Sequence, residues 1–150
     1  MLNKILNNRT LILYLLPFFF GLFTVFSFQP FNLSFINFIL LPLFFLLLVY
    51  IKTRSKSVYR KKPYRRNLFI FGFVFGLGFY LSGTFWITYS LTFDESFKFL
   101  IPFALVLIPL FLSLFTGITT LIVGQFLNYN FSSILFFSCS LALSDYIRGK

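Results

Sequence analysis

The sequence contains no histidine, a single cysteine at Cys139, and only three acids, Asp94, Glu95 and Asp145. Each shortage excludes some chemistry. Without histidine the chain lacks the commonest general base and metal ligand at neutral pH, and a Ser–His pair cannot form. One cysteine rules out an intrachain disulfide and leaves the redox compartment open. So few acids cannot surround a metal ion, so no metal and no cofactor is expected. A phosphate-cradling loop is missing too: Gly76-x-Gly78 lacks the third glycine and the preceding strand of a dinucleotide fingerprint. Alanine stands only at Ala104 and Ala142, whereas phenylalanine occurs 27 times. Together with many Asn, Ile and Lys, this reads as an AT-rich coding bias, with Phe filling sites that Leu or Ala fill elsewhere.

What is present in excess is apolar length. The chain is 59% apolar, where a soluble domain is nearer about 45–50%. These residues lie in long blocks without the dyad alternation of a membrane β-barrel. A block of about 20 apolar residues rising 1.5 Å each crosses the ~30 Å hydrocarbon core. The fold class expected is therefore an all-α membrane protein, a five-helix polytopic transmembrane bundle. Its helices are placed at about 11–28, 35–51, 68–91, 99–127 and 131–147, all within one transmembrane domain over 1–150. The first block follows a basic start, as in a signal peptide, but no small-residue cleavage site follows it, so it reads as a retained helix. Pro42 and Pro109 fall inside helices, where neighbouring helices can tolerate a kink.

Charge is concentrated in one place. The net charge is +10, yet eight of the thirteen basic residues lie between Lys52 and Asn67, in KTRSKSVYRKKPYRRN. A basic loop between two apolar blocks is what the positive-inside rule produces, so 52–67 is expected to be a cytoplasmic loop meeting anionic headgroups. Binding to nucleic acid is not expected. The N-terminus is then cytoplasmic too. The Gln29–Ser34 turn and the Thr92–Lys98 loop face outward, Asn128–Asn130 lies inside, and Arg148 reaches the outer surface.

The third block, FIFGFVFGLGFYLSGTFWITYSL from Phe69 to Leu91, is the one around which the others are expected to pack. It holds four of the eight glycines, the only tryptophan, and a line of hydroxyls at Ser82, Thr84, Thr88 and Ser90. Gly72 and Gly76 make a small-xxx-small pair that lets a second helix come close, and Gly83 is a further packing position. Trp86 reads as an outer-leaflet anchor or a helix contact.

Little else can carry chemistry. Glu95 and Lys98 share an outer loop, while Cys139 falls about eight residues, or roughly 12 Å, from either end of the fifth helix. These three cannot meet, and Cys139 reads as a small packing residue. Asp145 and Arg148 stand three apart on one helix, as an interfacial ion pair or as the lining of a polar cavity for a headgroup. Gln29 is either a turn residue or a cavity-lining one.

The order of these features resembles the N-terminal membrane region of bacterial apolipoprotein N-acyltransferases. An apolar helix runs into Phe26-Ser27-Phe28-Gln29-Pro30-Phe31, similar to that family's Phe-(Ser/Ala)-Pro turn. A basic loop follows the second helix. Gly76-Leu-Gly-Phe-Tyr-Leu-Ser-Gly83-Thr-Phe-Trp86-Ile-Thr-Tyr-Ser90 resembles its Gly-Trp-Ser string. Leu143-Ser-Asp-Tyr-Ile-Arg148-Gly149 is similar to the Glu-x-Leu-Arg-Gly that ends the fifth helix. Gln29 replaces the Ser or Ala of many members, and Asp145 replaces their Glu.

The resemblance implies a role in lipoprotein maturation at the bacterial inner membrane. The complete enzyme moves an acyl chain from a phospholipid to the N-terminal cysteine of an apolipoprotein through a thioester. Its Glu-Lys-Cys set lies in a nitrilase-like domain with no counterpart among these residues. The chain is thus expected to be a membrane scaffold, a fragment or truncated product that is inactive alone. Its partners would be phospholipid, the apolipoprotein substrate and the missing C-terminal domain. No catalytic residue is assigned; Gln29, Trp86, Ser90, Asp145 and Arg148 are expected to position substrate. From composition alone, a small oligomeric transporter or flippase-like subunit is the alternative, as is a structural membrane protein.

Overall fold

The computed structural model describes residues 10–29, 31–55, 63–85, 99 and 101–149. Among them are five helices and no strand. Helix α1 covers Leu11–Ser27, α2 Phe35–Ser55, α3 Pro63–Gly83, α4 Ile101–Val123 and α5 Phe131–Arg148. Phe35–Arg54, Tyr64–Gly83 and Ile101–Val123 are long and apolar enough to cross a membrane, and Leu11–Ser27 is a shorter apolar helix. Helix α5 is as long as 18 residues, but its serines, Asp145 and Arg148 dilute its hydropathy.

Local chemistry explains the helix boundaries. Pro17 has no N–H to offer the preceding turn, and there the coil widens: Leu11–Leu15 is π-helical, with Leu16 N–H donating to the Leu11 carbonyl. Helix α1 closes in a 3-10 turn at Val25–Ser27. The chain then reverses through Asn32, whose φ of 53° suits an asparagine. The basic loop expected over 52–67 is shorter than that. Lys52 to Ser55 continue α2, because Lys and Arg are good helix formers and no breaker intervenes. Pro63 opens α3, a position where its missing N–H costs nothing. At the far end, α4 stops at Val123 rather than Leu127, turning at Gly124.

Helix α3 is central, packing most extensively on α4 and next on α1. Two sets of close approaches make this possible. A Cβ on Gly21 would collide with the Phe75 carbonyl oxygen and sit 2.7 Å from the Phe79 nitrogen. A Cβ on Gly78 would collide with the Phe18 carbonyl oxygen. The backbones of α1 and α3 therefore touch where these two glycines face each other. On the side facing α4, a Cβ on Gly72 would run into the Thr120 hydroxyl, and one on Gly76 into that of Thr116. Gly83 is not part of such a crossing: its nearest neighbour would be Val25 Cγ2 at 3.9 Å, an ordinary contact.

With α3 and α4 this close, polar side chains replace bulk at their interface. Ser113, Thr116 and Thr120 are buried on α4. The Thr120 hydroxyl lies 3.1 Å from the Leu68 carbonyl of α3 and 3.0 Å from the Thr116 carbonyl of its own helix. In an apolar medium these contacts satisfy groups that have no water to turn to. Across the bundle, Phe44 of α2 packs on Phe71, Phe75 and Phe137, with ring centroids 4.9, 4.3 and 5.9 Å away. Helix α5 attaches through Phe137 and through a 2.8 Å contact between the Thr119 and Ser144 hydroxyls. Cys139, expected as a packing residue, is exposed on the outside of α5. Many large apolar side chains are also exposed, Phe38 at 82% and Phe131 at 74% among them. So much outward apolar surface fits contact with lipid rather than water.

The two ends of the bundle differ. At one end Lys52 Nζ donates to the Leu127 carbonyl (2.7 Å) and to Asn128 Oδ1 (3.1 Å), and Arg65 Nε donates to Gln125 Oε1 at 2.9 Å. These bonds tie the end of α2 and the start of α3 to the α4–α5 turn. The opposite end gathers the α1–α2 turn, the end of α3 and the end of α5.

Candidate functional site

At that opposite end a cleft of about 690 Å³ opens between the elements just named. Its walls are aromatic: Phe28 and Phe31 come from the α1–α2 turn, Phe79 and Phe85 from α3 and its extension. Its polar groups are few. Gln29 sits exposed in the turn, Ser82 and Thr84 line the α3 side, and Arg148 enters from the last turn of α5. The Ser82 hydroxyl donates to the Gly78 carbonyl at 2.8 Å and that of Thr84 to the Tyr80 carbonyl at 2.6 Å. Each has thus committed its only proton to its own helix. Among the described residues, the donors left for a ligand include the Gln29 amide and the Arg148 guanidinium.

Arg148 is held from two sides. One terminal nitrogen pairs with Asp145 Oδ1 at 3.3 Å, one helical turn back. The other donates to the Tyr80 hydroxyl, and the guanidinium carbon stands 5.1 Å from the centroid of the Tyr80 ring. Tyr80 is buried, so its hydroxyl needs this partner. The two contacts leave up to three of the five guanidinium N–H donors. A cation tethered in an aromatic cleft suits an amphiphile with an anionic group, with the tail on the phenylalanines and the anion at Arg148.

Of the residues expected to position substrate, Gln29 and Arg148 come together in this cleft, with Asp145 behind Arg148. Trp86 and Ser90 lie outside the described residues. Sequence reasoning passed over Tyr80. The signal for it was a phenol within an apolar block, four residues after Gly76, where a buried hydroxyl requires a donor or acceptor. It also passed over Gly21 and Gly78. Gly21 is the only glycine of the first apolar block, which was the available hint. No group of three potential metal ligands occurs among the described residues.

Neither the curated proteins nor the solved structures yield a match to the chain. A family model described as the apolipoprotein N-acyltransferase N-terminal domain does match, over residues 20–150. The match starts within α1 and takes in every later helix, the aromatic cleft and Arg148. The chain therefore belongs to the apolipoprotein N-acyltransferase N-terminal domain family.

Proposed function

We propose that this chain is the membrane-embedded part of an apolipoprotein N-acyltransferase, the enzyme that moves an acyl chain from a phospholipid to the N-terminal cysteine of an apolipoprotein. The family match over 20–150 is the observation that carries the reading. The role of these helices is to hold lipid-embedded substrate, with catalysis supplied by a further domain bearing the Glu-Lys-Cys set. The cleft supports that division of labour. Among the described residues it offers one tethered cation and aromatic walls, and the carboxylate beside it, Asp145, is turned to Arg148. Gln29, Asp145 and Arg148 then engage the headgroup region, and Trp86 and Ser90, which follow the cleft-lining Phe85 in sequence, complete the positioning set. The protein sits in the bacterial inner membrane as a multi-pass protein. Its Lys52 end lies on the cytoplasmic side and its cleft end on the outer side.

The test is lipid retention by the purified chain in detergent, read by native mass spectrometry. Dioleoyl phosphatidylcholine is compared with dioleoylglycerol, which has the same chains and no phosphate. The zwitterionic lipid is chosen so that the basic end does not dominate. Wild type should retain the phospholipid about tenfold better, the worth of a charge-assisted hydrogen bond, and Arg148→Gln should lose that preference. An unchanged preference in Arg148→Gln would sink the reading of this cleft. Reporter fusions after Lys62 and after Asp94 should report cytoplasm and exterior respectively; the reverse would overturn the orientation.

A further inference from the structure

We infer that Tyr80 is the positioning residue that fixes Arg148 over the cleft, so that its remaining donors meet a lipid phosphodiester; this rests on the lipid-binding reading above. An arginine is a poor anion site when its side chain is loose. Four flexible torsions must be frozen when the ligand arrives, and that entropy is subtracted from affinity. Here the freezing is done beforehand. Arg148 stands at the last turn of α5, a helix with a single buried apolar side chain, Phe137. Left to itself, its guanidinium would follow Asp145 out to the surface, since the Asp145 side chain is 62% exposed. Tyr80 pulls the other way. It belongs to the central helix, is only 5% exposed, and takes Arg148 by ring face and hydroxyl together. The Arg148 side chain is accordingly only 27% exposed, turned into the cleft beside Phe79 and Phe85.

The two contacts divide the guanidinium usefully. Asp145 occupies one terminal nitrogen and Tyr80 the other, so the plane cannot rotate and the donors that remain are presented in a fixed direction. The phenol is also neutral. It holds the cation without cancelling the charge that attracts a phosphodiester, as a second carboxylate would. Among the described residues, the other hydroxyls that line the cleft, Ser82 and Thr84, are turned back to carbonyls of α3 itself.

The experiment uses the full chain in detergent and the same pair of lipids, dioleoyl phosphatidylcholine and dioleoylglycerol. The readout is the ratio of their retention. Tyr80→Phe keeps the ring face and removes one oxygen; the ratio should fall about two- to threefold. Tyr80→Leu removes both contacts, and the ratio should fall about tenfold, close to the value for Arg148→Gln. Retention of dioleoylglycerol should stay at the wild-type level in both. If Tyr80 were only a wall of the cleft, both lipids would be lost together and the ratio would not move, which would overturn the assignment. A normal ratio in Tyr80→Leu beside a lost preference in Arg148→Gln would refute Tyr80's role while leaving the lipid-binding reading intact. An Arg148→Gln variant indistinguishable from wild type would overturn both. Should Tyr80→Leu fail to fold, Tyr80→Phe, one atom short of wild type, still decides the matter. Excess inorganic phosphate should leave wild-type retention unchanged, because the aromatic walls hold chains and not a free ion; displacement by it would overturn a lipid as the source of the phosphate.

Discussion

The crossing of α1 and α3 can be tested by adding a single methyl group. In Gly21→Ala the new Cβ falls 2.7 Å from the Phe79 nitrogen and collides with the Phe75 carbonyl oxygen. Both neighbours are backbone, so neither can swing aside. Non-bonded atoms settle at about 3.5–4.0 Å, so the two helices must part by roughly 1 Å, and a gap of that size forfeits about a quarter to a half of each facing contact. The cost should be about 2–3 kcal/mol, the upper part of the range for overpacked cores. Gly78→Ala meets the Phe18 carbonyl in the same way and should cost as much. Because the two glycines share one crossing, their effects should not add: once the helices have parted for one methyl, the second costs less. Gly83→Ala is the control. Its methyl finds only Val25 Cγ2 at 3.9 Å, and replacing glycine near the end of a helix should leave stability unchanged or raise it by up to about 1 kcal/mol. The assay is unfolding of the detergent-solubilised chain by increasing sodium dodecyl sulfate, followed by circular dichroism. Gly21→Ala and Gly78→Ala within about 0.5 kcal/mol of wild type, or Gly83→Ala as damaging as they are, would refute a backbone-to-backbone crossing.

Two further perturbations probe the rest of the bundle by the same unfolding assay. Phe44→Ala empties a site enclosed by Phe71, Phe75 and Phe137. Lipid tails are as apolar as the core, so the transfer part of the usual cost largely cancels. The cavity part remains, about 2–3 kcal/mol for roughly 100 Å³ of lost side chain; a loss below about 1 kcal/mol would show that the aromatic cluster does not hold α2 and α5 in place. Lys52→Met keeps the aliphatic stem but deprives the Leu127 carbonyl and Asn128 of their donor. It should cost about 1–2 kcal/mol, and proteolysis should quicken at the α4–α5 turn; unchanged cleavage there would argue against the tie.

Fold class and helix order could be read from the sequence because they depend on quantities that are local along the chain. Apolar run length sets how many helices form, and the cluster of lysines and arginines distinguishes one end of the bundle from the other. The i, i+3 spacing of Asp145 and Arg148 is local as well, and so is the small-xxx-small spacing of Gly72 and Gly76. The family itself was legible in the ordered motifs from Phe26 to Gly149. What the sequence could not supply was the rotation of each helix about its own axis. A helix that is apolar on all sides carries no stripe to say which face is buried, so Gly83 and Gly21 look alike until the neighbours are placed. Only tertiary packing put Gly21 against Gly78 and left Gly83 with room to spare. Packing likewise turned Cys139 outward and drew Lys52 and Arg65, which read as members of a solvated loop, onto the α4–α5 turn. It also brought Tyr80 to Arg148, 68 residues further along the chain. That contact has no local signature, because it exists only where two helices that are distant in sequence end at the same depth.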